Sequence, residues 1–384
     1  MKKILFAIGS RANYASIKSA MLSVQSRPEL ELQIVCFSSS VLARFGRVSD
    51  QMKTDGLLPS IEVETLIEGA SLQSMAESTG LALMKLPRIF EDLAPDAILT
   101  VGDRYETMAT AVAAAYLNIP LAHTMGGEVT GSIDESIRHA ITKFAHIHFP
   151  STQLAADRIR KMGEDPERIF LTGCPRIDIA KVAADLGSDG LEKICSQYGV
   201  GGEINFSKPF ILVSQHPVTT EHKQADVQMI ETLRAVKSLE LPTIVLWPNS
   251  DAGSAVMSQQ IRKWREQQIT DDIHFFTNLP VERYLQLMNL TSCLIGNSSS
   301  GLREGAFLGT PVVNLGNRQI GRERTENVLE TEHVEAEIVR AAEIQINHGK
   351  YQSSTLYGTG DAGTKIAEVF SNLQDIKIQK KLAY

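Results

Sequence analysis

An α/β chain built as two doubly wound domains is what this sequence predicts, on three observations. Short apolar runs alternate with longer amphipathic stretches almost from end to end. A polar, glycine-rich break falls near the middle. Most of the apolar runs stop abruptly in glycine and polar residues. The runs of the first half are 4–8, 32–37, 97–101, 120–123, 147–149 and 169–171. Those of the second half are 210–214, 243–247, 274–277, 293–295 and 311–315. Continuous apolar runs of this length, separated by helical segments, are what parallel strands covered on both faces require. Helices are expected over 14–25, 72–90, 106–117, 135–145, 225–238 and 254–267, which gives the alternation of an α/β fold, made twice.

The length of 384 residues suits two domains of common size. The break lies around 182–208, where Asp, Gly and Ser concentrate, so the first domain is expected over 1–182 and the second over 183–362. No repeat relates the halves. A last helix is expected from Gly363 to Leu373, after a glycine-rich turn, and by pattern alone it could pack on either domain.

Composition excludes several classes of function. Hydrophobic residues make up 43% and charged residues 22%, ordinary for a soluble globular protein. A net charge of −7 argues against a nucleic-acid-binding surface, which is normally basic. No apolar run approaches the roughly 18–20 residues that a membrane span needs. The N-terminal apolar stretch, Ile4 to Gly9, runs into Ser10-Arg11-Ala12-Asn13 and reads as a buried first strand, not as a signal peptide. Cys36, Cys174, Cys195 and Cys293 are scattered without CxxC spacing and read as reduced, buried thiols of a cytosolic protein.

Ligands of open parallel sheets bind at the carboxyl ends of the strands, and here those ends are polar. They read Gly9-Ser10-Arg11, Gly102-Asp103-Arg104 and Gly126-Gly127-Glu128 in the first half. In the second they read Gln215-His216-Pro217, Pro248-Asn249, Gly296-Asn297-Ser298-Ser299-Ser300-Gly301 and Gly316-Asn317-Arg318. Two such sheets with their functional ends turned to each other would form a site in a cleft between the domains. The 297–301 segment reads as a phosphate cradle, with small residues, three hydroxyls and a helix expected to start at Leu302-Arg303-Glu304. A plain serine-rich N-cap explains it equally well. It is not a Walker A loop, and Gly9-Ser10-Arg11-Ala12 is not the dinucleotide fingerprint, so neither NAD nor ATP is indicated.

Arg11, Arg104, Arg318, Arg322 and Arg324 follow strand ends. Arg11 and Arg318 come from opposite halves, as a clamp over a pyrophosphate would need, while at least one of Arg322 and Arg324 reads as plain surface. Asp103, Glu128 and Asp134 are the main chemical signal: acids at neighbouring strand ends shift one another's pKa into a useful range. Taken singly, Asp103 and Asp134 would serve equally well as N-caps. His139, His146 and His148 lie close together but lack a completing carboxylate or Cys, so no metal site is expected. His216 differs from them in standing at a strand end. No GxSxG elbow supports serine chemistry.

Taken together, the segments 102–104, 126–139, 173–175, 215–220, 247–253 and 296–327 resemble the sialic-acid-pathway branch of the UDP-N-acetylglucosamine 2-epimerases. The blocks 126–139 and 316–327 are the most specific, and Gly-Glu-Val-Thr-Gly-Ser-Ile-Asp looks like the hydrolysing type. The resemblance implies two Rossmann-like domains facing across a cleft in a glycosyltransferase-B arrangement, with the C-terminal helix (363–384) joined to the first domain. It implies anti elimination of UDP from UDP-N-acetylglucosamine to a 2-acetamidoglucal, then hydration to N-acetylmannosamine, with no cofactor. Asp103, Glu128, Asp134 and His216 would be the catalytic residues, His216 supporting the departing diphosphate. Arg11, Ser298, Ser299 and Arg318 would hold phosphates and Glu304 the ribose, with Arg104, His139 and Asn249 also against substrate. It further implies a homodimer or homotetramer through helices of the first domain.

Two departures matter. The animal bifunctional members continue into a kinase domain, which is not expected here. Their feedback site uses a pair of arginines where this chain has Gln259 and Arg262, so that regulation is not carried over. Competing readings are a sister enzyme acting on a UDP-2,4-diacetamido-2,4,6-trideoxy sugar of legionaminic acid synthesis, a glycosyltransferase on the same scaffold, and a non-catalytic sugar-nucleotide sensor.

Overall fold

A computed structural model describes residues 1–69, 71–202, 204–249, 251–267, 272–277, 279–374 and 376–383. The chain divides into two compact units. The first comprises Met1–Val129, Ile133–Asp178 and Tyr357–Tyr384; the second comprises Thr130–Ser132 and Ile179–Leu356.

The first unit is built on six parallel strands: β1 (Lys2–Ile8), β2 (Leu30–Phe37), β3 (Ile61–Val63), β4 (Ala97–Val101), β5 (Leu121–Thr124) and β6 (Ile147–Phe149). Their order across the sheet is β3-β2-β1-β4-β5-β6. The chain winds outward from β1 in one direction, then returns to the middle and winds the other way from β4. Side chains alternate between the faces of a strand, so Leu5, Ala7, Val35 and Ile98 share one core with Leu86 and Phe90 of the helix Leu72–Leu93 and Ala109 of the helix Tyr105–Tyr116.

The second unit repeats the plan. Its strands are β7 (Gly199–Gly201), β8 (Ile211–Ser214), β9 (Thr243–Leu246), β10 (Ile273–Phe276), β11 (Cys293–Gly296), β12 (Val312–Leu315) and β13 (Val328–Thr331). The order is β13-β12-β11-β8-β9-β10-β7, with β7 antiparallel to β10 and the other pairings parallel. Leu212, Ile244, Leu294 and Val312 face one core, while Ile211, Val213, Val245, Ile295 and Val313 face the other. Burial on both faces is why these strands read as unbroken apolar runs. Both sheets thus have the doubly wound order in which the strand sequence reverses at one point, between β1 and β4 and between β8 and β11.

The expected α/β fold class and its central strands agree with this architecture. Three strands have no counterpart among the expected runs: β3, β7 and β13. All three lie at sheet edges, where one side has no neighbouring strand, and none is buried along its length. The expected strand over 169–171 is corrected to a single bridge, Ile169 to His148. A one-turn 3-10 helix at Pro166–Arg168, capped by Asp165, brings the chain in too late to build a ladder.

The last helix spans Ala362–Ser371 and packs in the first unit on the helix Arg11–Gln25. Gly363 is needed there, since a Cβ would lie 2.6 Å from the Ser19 carbonyl carbon. The Asp178 carboxylate accepts from the Ala362 and Gly363 N–H groups at 2.9 and 2.7 Å. The expected extension of this helix to residue 384 is corrected, because the described residues after Ser371 are not helical. They form a strap instead: the His146 imidazole bonds the Ile378 carbonyl at 3.0 Å, and the Ala383 N–H donates to Gly163 at 3.0 Å.

Lys380 of this strap meets Glu164, whose side chain is 2% exposed and also bonds Lys143 and His148. Burial alone would raise the Glu164 pKa; hydrogen bonds from His148, Lys143 and Lys380 outweigh it and hold the pKa at about 2. Removing one member of such a buried set leaves the others uncompensated. Glu164→Gln is therefore expected to lower stability by about 3 kcal/mol, read as an earlier midpoint in urea unfolding. An unchanged midpoint would show that the strap is not held by this cluster.

Candidate functional site

The polar strand ends of the first unit gather on either side of the reversal between β1 and β4. After β1 the chain turns at Gly9-Ser10 into the helix Arg11–Gln25. The Ser10 hydroxyl caps the Asn13 N–H at 3.3 Å, and the Asn13 amide oxygen takes the Gly9 N–H at 3.1 Å. Arg11 opens the helix half-buried, and burial pulls its pKa below the ordinary arginine value. Gly9 has no room for a side chain, because a Cβ would lie 2.3 Å from Cγ of Glu106. That approach lets the buried Glu106 bond Nε of Arg104 at 2.7 Å, setting Arg104 beside the end of β1.

Beyond β4, the Gly102 carbonyl accepts from Nε2 of His123 on β5 at 2.8 Å. Burial pushes the His123 pKa down to about 3, so the ring is neutral and its proton lies on Nε2. Asp103 forms an ion pair with Arg138, whose side chain is 0% exposed although Asp103 is 21% exposed. The same guanidinium donates to the Glu128 carbonyl at 2.9 Å. Arg138 therefore ties together the ends of β4 and β5. Asp134 begins the helix Asp134–Phe144 one turn before Arg138, on the same helical face. The N-caps here are Arg104 and Ile133, so neither Asp103 nor Asp134 occupies a capping position. His139 is half-buried with Nε2 3.6 Å from Glu135, and burial lowers its pKa.

In the second unit the reversal lies between β8 and β11. Gly296 has φ +146°, and a Cβ there would lie 2.1 Å from the Ser214 carbonyl oxygen of β8. Asn297 follows, fully buried, and its amide grips the backbone of His216. Its own carbonyl accepts from Arg318 at 3.2 Å and from Gln319 at 2.8 Å. The Asn249 N–H donates to Nδ1 of His216 at 3.3 Å. Ser250, inside the 247–253 stretch singled out above, lies outside the described residues.

The serine segment is corrected in one respect. Its helix starts at Ser299, not at Leu302, lasts only to Leu302, and resumes as Glu304–Leu308 after Arg303. Ser298 is the N-cap and accepts from the Ser300 N–H, so the plain capping role holds for that residue. One turn carries little dipole, which leaves hydroxyls and arginines as the groups suited to an anion. The Ser300 hydroxyl bonds Tyr284 and Ser298, the latter at 2.8 Å, and Arg303 donates to the Ser299 hydroxyl at 3.3 Å. Glu304 is fully buried beside them.

The structure thus joins Asp103 and Glu128 through Arg138, with Asp134 on the same helix as that arginine, and groups His216, Asn249 and Arg318 about Asn297. Arg138, Arg303 and Tyr284 were not among the expected site residues, and Asn297 was expected only as part of the 297–301 cradle. Arg138 had one readable signal, its place four residues after Asp134. Among the described residues no three or more His, Cys, Asp or Glu side chains are arranged to hold a metal ion, and no helix is long and apolar enough to cross a membrane. The four cysteines are buried and unbridged.

Solved proteins share this architecture. The Neisseria meningitidis UDP-GlcNAc 2-epimerase, solved bound to UDP-GlcNAc, is 18% identical with a TM-score of 0.77, over 97% of this chain and 100% of that one. The Methanocaldococcus jannaschii UDP-GlcNAc 2-epimerase, solved with UDP-GlcNAc and UDP, is 15% identical with a TM-score of 0.78, over 96% and 99%. The fold is thus of the glycosyltransferase-B type. Residues 22–371 match the sequence profile described as UDP-N-acetylglucosamine 2-epimerase, and the chain belongs to that family. Among its relatives, the Campylobacter jejuni GDP/UDP-N,N'-diacetylbacillosamine 2-epimerase (hydrolyzing) is 30% identical over 86% of this chain and 84% of that protein. The Legionella pneumophila UDP-N,N'-diacetylbacillosamine 2-epimerase (hydrolyzing) is 29% identical over 97% and 96%. The N. meningitidis UDP-N-acetylglucosamine 2-epimerase is 28% identical over 99% and 98%.

Two predictions follow from the first unit's geometry. The His123 pKa of about 3 lies below the roughly 6.5 of an unfolded chain. The unfolded state therefore takes up the proton first as pH falls. The stability contributed by neutral His123 is complete above about pH 6.5 and is lost as pH drops toward 3. Burial shifts His146 and His148 the same way. Urea unfolding between pH 7 and 5 should show stability falling with acid, and His123→Gln should make that slope shallower by about 1.4 kcal/mol per pH unit. An unchanged slope would mean that His123 is not buried neutral. For Arg138→Met, which leaves Asp103 without this partner and the Glu128 carbonyl without this donor, the expected loss is about 2 kcal/mol, reduced for the partial exposure of Asp103. A loss below about 0.5 kcal/mol, the size of a surface substitution, would show that the tie is not stabilising.

Proposed function

We propose that this chain is a hydrolysing 2-epimerase that converts UDP-N-acetylglucosamine and water to N-acetylmannosamine and UDP. The observation that carries the reading is the tie of Asp103 and Glu128 through the buried Arg138, with Asp134 one turn earlier. In the first step a carboxylate removes the C2 proton, the C1–O bond to UDP breaks on the opposite face, and a C1=C2 double bond forms. In the second step water adds its hydroxyl at C1 as its remaining proton passes to a carboxylate, and a protonated acid returns hydrogen to C2 from the other face. The base of one step and the acid of the other are drawn from Asp103, Glu128 and Asp134, which we take to act as one coupled set.

Departure of UDP places negative charge on the diphosphate, and oriented donors that meet it lower the barrier. Arg11, Ser298, Ser299 and Arg318 take that role with His216, while Arg104, His139 and Asn249 orient the sugar and Glu304 holds the ribose. A desolvated Arg11 suits this work, since a bound phosphate restores the interactions its charge lost on burial. The words "hydrolyzing" in the names of two relatives support release of the free sugar over return of the nucleotide sugar. A free 2-acetamido sugar product fits supply of sialic acid synthesis. A cytosolic location is in keeping with the unbridged cysteines, and a homodimer or homotetramer is part of the same proposal.

A second reading is favoured by one observation. Two of the relatives are named for UDP-N,N'-diacetylbacillosamine, which differs from UDP-N-acetylglucosamine at C4 and C6 of the sugar. The test is a proton NMR time course in D2O with each substrate in separate tubes. UDP plus free N-acetylmannosamine carrying deuterium at C2 is the expected outcome. Turnover of the diacetamido substrate alone would establish the second reading. A deuterated product still joined to UDP would overturn the hydrolysing assignment.

A further inference from the structure

The second unit holds an arrangement beyond the roles given above. The Asn297 side chain, fully buried, accepts the His216 N–H on Oδ1 at 2.8 Å and donates from Nδ2 to the His216 carbonyl at 2.8 Å. Because one contact needs an acceptor and the other a donor, the orientation of the amide is determined. The Asn297 carbonyl meanwhile accepts from Arg318 and Gln319 at 3.2 and 2.8 Å. One residue at the reversal point thus holds the loop after β8 by its side chain and the loop after β12 by its backbone.

The imidazole is fixed as well. The Asn249 N–H can only donate, so Nδ1 of His216 is an acceptor and the proton of the neutral ring lies on Nε2. His216 then presents a donor, as an anion requires, and no vacant basic nitrogen at Nε2.

We propose that Asn297 is a positioning residue that sets His216, in its Nε2–H form, and Arg318 at one spacing for a diphosphate. This rests on the functional reading above and deepens it. His216 contributes as a hydrogen-bond donor to the departing phosphate, and the proton at C2 is left to the carboxylates. Removing the Asn297 side chain frees His216 while leaving the carbonyl that serves Arg318.

The test is a double-mutant cycle on the full chain, with UDP binding measured by calorimetry and turnover measured beside it. Asn297→Leu keeps bulk and loses both side-chain bonds, so UDP affinity and kcat should each fall about tenfold, the size of two neutral hydrogen bonds. His216→Ala should lose a similar factor. The double variant should lose less than about twofold beyond His216→Ala, because the two act as a unit. Losses that multiply would overturn the proposal, since a merely structural asparagine would weaken both backgrounds alike. Should Asn297→Leu not fold, Asn297→Ser carries the same cycle. The probe is UDP itself, which separates the two claims: wild type that binds UDP without turnover overturns the function alone, and the cycle still judges Asn297. Wild type that does not bind UDP overturns both.

Discussion

A parallel sheet whose strand order reverses sends two neighbouring strands into loops that diverge to opposite faces, and the space between those loops is left open. The cluster of polar residues in each unit depends on that constraint. In the first, the loops after β1 and β4 carry Arg11, Asp103 and Arg104. In the second, the loops after β8 and β11 carry His216 and the serines. Two glycines enforce the close packing at these points, Gly9 against Glu106 and Gly296 against the backbone of β8.

Charge is handled differently in the two units. The first brings carboxylates to adjacent strand ends, where like charges repel, and threads one fully buried arginine between the Asp103 carboxylate and the Glu128 backbone. Such a group is costly to bury unless its geometry is well satisfied, and Arg138 holds the Asp103 carboxylate to the backbone that carries Glu128. The second unit instead gathers donors about Asn297, the charged Arg318 and the neutral Gln319 among them. On the proposed reading proton transfer falls to carboxylates of the first unit, while the diphosphate is held by Arg11 of that unit and by His216, Ser298, Ser299 and Arg318 of the second.

What was legible in the sequence follows burial. Central strands buried on both faces leave unbroken apolar runs, and β1, β4, β8 and β11 could be read from them. Edge strands leave no such run, which is why β3, β7 and β13 had no expectation and why 169–171, apolar but stopped by the Asp165-Pro166 turn, was given one too many. Asp103, Glu128 and His216 stood out because a polar residue close after an apolar strand has an address, and Asp134 because it ends the 126–134 loop. Arg138 did not, and Asn297 was legible as part of the cradle but not as the holder of His216, because each acts through a contact with a residue far along the chain. A buried arginine in a helix reads like any surface arginine until its partner is known. The serine segment shows the converse: the residues were readable, but the break at Arg303 that shortens the helix was not.

The central claim is that proton transfer and diphosphate binding are borne by different side chains. It is tested most directly by measuring UDP affinity and turnover of Asp103→Asn together. The claim predicts a UDP dissociation constant within about twofold of wild type, with turnover lower by about 10²–10⁴, the usual worth of general acid–base catalysis. An affinity that falls in step with turnover, or turnover that survives the substitution, would contradict it.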